Sequence, residues 1–298
     1  MRDSTVQLFG EVLFDRFPDG RAVLGGAPFN VAWHLQVFGD SPRLLSRVGR
    51  DEDGMVVQSA MANWGMDPGG LQVDEALPTG RVEVSLVDGE PHYEIVHPVA
   101  WDAIEASGDT ASPSGGWLYH GTLALRDDRS RSTLDALVSG SDGKIFLDVN
   151  LREPWWDRDQ VRSRLGAAHW VKLNEHELDE LAPEGGSLAQ RARALFERDD
   201  LEGLIVTRGA AGAVVLDRDG VAGAAPAPER VAVVDTVGAG DAFSSVMIHG
   251  LRRGWPLETA LERALAFAAA ICGQRGATVA DPDFYTPFLE AWYDDGTR

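Results

Sequence analysis

Four short apolar runs, at residues 117–123, 144–149, 170–173 and 204–207, recur through the middle of the chain, with helix-patterned stretches such as 129–138 and 188–197 between them. Strands that alternate with helices bury their apolar faces as a mainly parallel sheet covered on both sides. Such a sheet brings its strand ends to one edge, where α/β proteins build sites. Three of these ends are polar: Asp148-Val149-Asn150-Leu151-Arg152, Lys172-Leu173-Asn174-Glu175-His176-Glu177 and Thr207-Arg208-Gly209-Ala210-Ala211-Gly212.

The flanking segments extend this pattern. Residues 6–14 read as one buried strand with two acids, Glu11 and Asp15, near its end, and residues 44–48 as another strand; residues 54–64 form a helix that stops at Gly65. Residues 81–87 alternate with period two, Asp88-Gly89 is a hairpin turn signal, and residues 92–96 return as a second strand, an antiparallel flap inserted in a βα chain. His92 and His97 lack a matching third ligand nearby, which argues against a metal there. Residues 213–216 and 231–234 read as a hairpin-like addition, 257–272 as an Ala-rich helix and 284–293 as a last amphipathic helix. One α/β domain over residues 1–298 with an inserted flap is the simplest organisation.

The 44% hydrophobic composition is that of a globular chain. A formal charge of −20, with only Lys144 and Lys172 as lysines, argues against nucleic-acid or anionic-membrane partners, which bind clustered basic side chains. The single cysteine, Cys272, excludes an internal disulfide and a multi-cysteine zinc site. No basic start precedes the first apolar run and no run nears the ~18 apolar residues of a membrane span, so a cytoplasmic location is expected.

Phosphate chemistry is suggested by Asp235-Thr236-Val237-Gly238-Ala239-Gly240-Asp241, which reads as a strand-to-helix turn. The N–H groups of Gly238, Ala239 and Gly240 would stand open at a helix N-terminus, a ready anion site. Asp241 is then either a base for whatever attacks that phosphate or only a first-turn acid. Gly25-Gly26-Ala27-Pro28-Phe29-Asn30 is a tight turn into a helix carrying Val31, Leu35 and Phe38, and it serves equally as a ligand loop or a plain helix start. Asn174 and Glu177, three apart, suit phosphate and hydrated magnesium, or an Asn cap with a first-turn Glu. No P-loop, dinucleotide fingerprint, Gly-x-Ser-x-Gly or His-Glu-x-x-His is present.

Together, Gly25 to Ala32 and Asp235 to Asp241 resemble the two signatures of the ribokinase-like (PfkB) carbohydrate kinases, with Asn174-x-x-Glu177 and Thr207-x-Gly209-x-x-Gly212 similar to motifs between them. The resemblance covers nearly the whole chain. Gly10 to Asp15, Pro78-Thr79-Gly80, Val99 to Asp102 and Asp148 to Arg152 are most similar to bacterial fructokinases. One departure is Val246, where the second signature usually has Ala or Gly.

The resemblance implies a three-layer sandwich with a central, mainly parallel sheet and a small β-sheet lid at about residues 12–24 and 80–98. It implies an ATP-dependent kinase in which Asp241 is the general base and Gly238, Ala239 and Gly240 hold the transferring phosphoryl group. Asp15 and Asn30 would hydrogen-bond the sugar hydroxyls, Gly25 and Gly26 would let the backbone approach the ring, and Arg152 would bind the sugar or a phosphate. Thr207, Gly209 and Gly212 would line the ATP site, with Asn174 and Glu177 placing water-bound Mg2+. Asp235 and Gly276 would lie at a monovalent cation site, K+ by the family pattern, and a homodimer would form through the lid. Fructose is the expected substrate. A 2-keto-3-deoxygluconate kinase, which would use Arg152 or Arg81 for the carboxylate, a nucleoside kinase, and a catalytically silent sugar binder are the alternatives.

Overall fold

In a computed structural model, which describes residues 6–87, 90–106, 115–183, 185–228 and 233–293, the chain forms two sheets and flanking helices. The strands are β1 (Val6–Phe9), β2 (Leu13–Arg16), β3 (Ala22–Gly25), β4 (Arg43–Gly49), β5 (Leu71–Asp74), β6 (Gly80–Val87), β7 (Glu90–Ile95), β8 (Trp117–His120), β9 (Lys144–Asp148), β10 (Trp170–Asn174), β11 (Gly203–Thr207), β12 (Ala213–Asp217) and β13 (Gly220–Ala225). The helices are α1 (Ala27–Val37), α2 (Glu52–Asn63), α3 (Asp128–Ser139), α4 (Arg158–Ala167), α5 (Glu175–Leu181), α6 (Leu188–Arg198), α7 (Ala239–Arg253), α8 (Leu257–Cys272) and α9 (Thr286–Tyr293).

The large sheet has the order β13-β12-β11-β10-β9-β8-β1-β4-β5, parallel from β11 to β5, with β12 and β13 antiparallel at one edge. Successive side chains point to opposite faces, and the core divides accordingly. Ile205 and Phe146 pack with α1, α7 and α8 on one face, while Leu204, Val206, Ile145 and Leu147 pack with α3, α4 and α6 on the other. The result is the expected three-layer α/β architecture. Among the described residues no helix is long and apolar enough to cross a membrane.

Three expectations change. Residues 6–14 are two strands: after Phe9 the chain leaves the large sheet at Gly10, and β2 joins β3, β6 and β7 in the small sheet. Gly10 has φ +148° and a side chain there would strike Pro28 at 2.6 Å, so the break needs glycine. The hairpin partner of β12 is β13, not residues 231–234, because Asp217 to Gly220 forms the turn; Val233 and Val234 are exposed loop, and Val231 and Ala232 lie outside the described residues. The apolar run at 117–123 gives a strand only to His120, and Leu123–Leu125 forms a 3-10 turn. The β6–β7 pairing agrees with the expected hairpin, and its Asp88-Gly89 turn lies outside the described residues.

Helix α7 crosses the core, and its far end is tied down by charge. His249 Nδ1 lies 2.6 Å from Asp40 Oδ2, its Nε2 lies 2.6 Å from the Tyr293 hydroxyl, and Arg252 pairs with Asp40. Val246 is fully buried on this helix and its bulk is absorbed in the core. Asp40, 1% exposed in its side chain, thus holds two basic groups inside the protein. Removing one partner of a buried ion pair strands the rest, so Asp40→Ala is expected to cost about 3–5 kcal/mol in urea unfolding. A loss below about 1 kcal/mol would show the cluster to be dispensable.

Candidate active site

The C-terminal ends of β9, β10 and β11 and the break after β1 meet the N-terminus of α7 at one edge of the large sheet. Helix α7 begins at Gly238, which has left-handed φ +78° and supplies no side-chain cap. A Cβ at Gly238 would lie 2.2 Å from that of Ala277, so the turn is pressed against the 276–277 loop and requires glycine. Asp235 fastens both: its carboxylate accepts the N–H of Val237 at 3.0 Å and that of Gly276 at 3.1 Å. Three open N–H groups were expected here, but Ala239 N–H closes the turn on Thr236 O at 3.3 Å.

Asp241, in the first turn of α7, accepts a 2.7 Å hydrogen bond from Asn30 Nδ2 on α1. Burial raises its carboxyl to about 7; the Asn30 hydrogen bond and Lys172 oppose this, while Asp148 and Glu11 add to it. Lys172 Nζ sits 3.0 and 3.1 Å from the two Asp148 oxygens, and the Ser244 hydroxyl donates to Asp148 at 2.8 Å. Burial alone would lower the Lys172 ammonium, but the carboxylates of Asp148 and Glu177 hold it above its ordinary value. A Cβ on Gly240 would meet Lys172 Nζ at 3.0 Å, so this ammonium borders the anion turn.

These groups surround a polar cavity of about 380 Å³, whose walls include Asp15, Gly26, Asn30, Arg152, Gly238, Gly240 and Asp241. Leu13, Val82 and Ile95 of the small sheet reach it from above. Burial and nearby Asp235 raise Asp15, and burial also raises Glu11 in the same wall. A second cavity of about 450 Å³ is mostly apolar, lined by Ala210, Pro228, Leu265, Ala268 and Cys272 together with Gly209. Thr236 lines both cavities, so they meet at the Asp235–Asp241 turn.

The other candidates are distributed unevenly. Asn174 and Glu177 form a reciprocal capping box, with Glu177 N–H on Asn174 Oδ1 at 3.0 Å and Asn174 N–H on Glu177 Oε2 at 2.9 Å. Glu177 Oε1 also accepts Leu151 N–H at 2.9 Å. Both oxygens keep a further lone pair, and both residues line a 400 Å³ groove shared with Arg152, so the capping role leaves a water-bridged cation contact open. Among the described residues no cluster of three His, Cys, Asp or Glu could hold a metal directly. Gly25 lies next to the Asn30 side-chain amide and does not line the cavity. Thr207 bonds Leu173 O at 3.4 Å, and Gly212, φ +88°, passes where a Cβ would meet Ala225 O at 1.9 Å; neither lines the two cavities. Lys172 and the apolar slot were missed. A lysine inside the apolar run 170–173 was the visible signal for the first, whereas the slot is assembled from three distant segments.

Residues 5–283 match the pfkB family of carbohydrate kinases. The chain belongs to this family. It is 31% identical to a fructokinase of Klebsiella pneumoniae over 83% of this chain and 84% of that protein. Its fold superposes on aminoimidazole riboside kinase of Salmonella enterica, solved with aminoimidazole riboside and an ATP analogue, at a TM-score of 0.81 and 27% identity, covering 96% and 99% of the two chains. It also superposes on a fructokinase of Vibrio cholerae, solved with fructose, ADP and calcium, at a TM-score of 0.79 and 26% identity, covering 97% and 99%. This carbohydrate kinase thus carries its polar and apolar cavities on the ribokinase fold.

The raised Asp241 carboxyl predicts a pH signature of stability. With Asp241 at about 7 in the fold and 3.8 as the ordinary value, the folded chain holds a proton that the unfolded chain has released. The stability from this group is complete below about pH 4 and is lost as pH rises through about 7. Asp241→Asn removes that loss, so denaturant unfolding should show the variant gaining on the parent by on the order of 2–4 kcal/mol between those limits. Parallel pH profiles for the two proteins would contradict a proton-holding Asp241.

Proposed function

We propose that this kinase transfers the γ-phosphoryl group of ATP to a hydroxyl of fructose. The observation that carries this is the Asn30–Asp241 pair in the wall of a polar cavity that shares Thr236 with an apolar one. The polar cavity takes the sugar, with Asp15 and Asn30 on its hydroxyls, Gly26 in the wall and Gly25 next to Asn30 leaving room for the ring, and Arg152 beside the sugar or the phosphate. The apolar slot takes the adenine, Gly209 marks its edge, and Thr207 and Gly212 shape the loop behind it.

Asp241 accepts the proton of the attacking hydroxyl, a task matched to a carboxyl raised to about 7. The sugar oxygen forms its bond to the γ-phosphorus as the β–γ bridging P–O bond breaks, and ADP leaves with that oxygen. Negative charge on the moving phosphoryl group faces the N-terminus of α7 at Gly238, Ala239 and Gly240 and the Lys172 ammonium. Asn174 and Glu177 would hold Mg2+ through bound water, and that ion would supply charge neutralisation at the phosphates. Asp235 and Gly276 would frame the monovalent cation site that the family resemblance implies. The small sheet acts as the lid, and Leu13, Val82 and Ile95 keep water from the transfer.

Fructose is favoured over a nucleoside because, among the described residues, the polar cavity has no aromatic side chain on which a base would stack. The fructokinase relatives point the same way. A keto acid would find Arg152 available in the wall.

The direct test is ADP release with ATP, magnesium and a panel of sugars, 2-keto-3-deoxygluconate and nucleosides. Fructose is expected to give the highest kcat/KM, and a nucleoside in that place would overturn the assignment. Asp241→Asn should lower kcat by about 10²–10⁴ while sugar binding changes little. In the parent enzyme kcat/KM should fall with unit slope below about pH 7, as Asp241 takes up its proton. Parent-like turnover in the Asn variant would remove Asp241 from the reaction.

A further inference from the structure

The turn that carries Gly238 is held from behind by the 276–279 loop, and that loop is held by α1. Two consecutive residues of α1 grip it. Trp33 Nε1 donates to Val279 O at 3.0 Å, and His34 Nε2 lies 3.1 Å from Ala277 O. A carbonyl oxygen only accepts, so Nε2 carries the proton and Nδ1, 3.1 Å from the Tyr285 hydroxyl, is the bare nitrogen. Burial lowers His34 to about 4, so it is a neutral, fixed donor throughout the neutral range. Ala277 in turn occupies the space against Gly238, where a Cβ would come within 2.2 Å.

Asn30 lies one helical turn before His34 on the same helix and donates to Asp241. Helix α1 therefore reaches the start of α7 twice, directly through Asn30 and indirectly through His34, Ala277 and Gly238. The sequence pattern singled out Asn30 in this helix and passed over His34, whose imidazole is fully buried and makes no contact with either cavity.

We propose that His34 is a positioning residue, which sets the anion turn at Gly238 in register with the Asn30–Asp241 pair through its hydrogen bond to Ala277 O. This role presupposes the kinase activity proposed for the site. An anion turn displaced by a fraction of an ångström still admits ATP and sugar, but it no longer matches the phosphoryl group in flight. The loss should therefore fall on kcat and not on either KM.

The test compares His34→Phe, which keeps a ring and removes the donor, with His34→Gln, which retains an N–H donor, in the full-length enzyme. His34→Phe should lower kcat by about 10–100-fold with both KM values within about threefold, and weaken binding of ADP with aluminium fluoride and sugar far more than binding of ADP alone. His34→Gln should recover most of the kcat. Trp33→Phe, which deletes one of the two donors to Val279 O and leaves the Tyr285 hydroxyl in place, should give a smaller loss of the same kind, and it carries the test if the His34→Phe chain does not fold. Unchanged kcat in the folded variants, equal losses in the Phe and Gln forms, or a change confined to KM or melting temperature would overturn the proposal while leaving the kinase reading intact. Absence of ADP release by the parent enzyme on every panel substrate would overturn both.

Discussion

Asp241 places a half-buried carboxylate at the positive end of a helix, close to two further buried acids, and much of the surrounding structure answers that one charge. Asn30 donates to it, Lys172 lies close enough to draw its proton affinity down, and burial with Asp148 and Glu11 pushes that affinity up. The balance leaves the group near 7, where it can gain and lose a proton under ordinary conditions. Lys172 would be costly alone in the same interior. Asp148 compensates it, and Ser244 and the sheet register, which sets Lys172 opposite Asp148, hold that pair in place.

The two cavities follow from topology. Parallel strands deliver Asp148, Asn174 and Thr207 to one edge, and the N-terminus of α7 arrives at the same edge from the opposite direction in sequence. The polar cavity lies on the α1 side of the turn and the apolar one on the α8 side, with Thr236 common to both. Net acidity over the whole chain does not oppose a phosphate here, because local donors and Lys172 act at contact distance while distant surface acids are screened.

Periodicity made the central sheet readable, since side chains on a two-sided parallel strand must be apolar nearly throughout. It failed where a strand changed sheets: nothing in Val6 to Phe14 marks the passage into the small sheet except Gly10, and only the approach of Pro28 explains why that glycine matters. Residues 231–234 are rich in β-branched side chains, yet β12 pairs with β13 because a short turn closes that hairpin first. Asn174 and Glu177 look alike as cap and as ligand in sequence because both uses need an acceptor at the head of a helix, and the structure uses them as a cap at least.

By itself the sequence determined the α/β class, the glycine-rich turns and the acid between them, because these depend on local backbone freedom and on periodic burial. Tertiary structure alone decided that Asn30, 211 positions away, donates to Asp241, that Lys172 borders Gly240, and that an apolar slot opens beside Thr236. Those contacts join segments with no shared local pattern. The physical reason is that proton affinity, anion stabilisation and cavity shape depend on distances of a few ångströms, which only the packed chain sets.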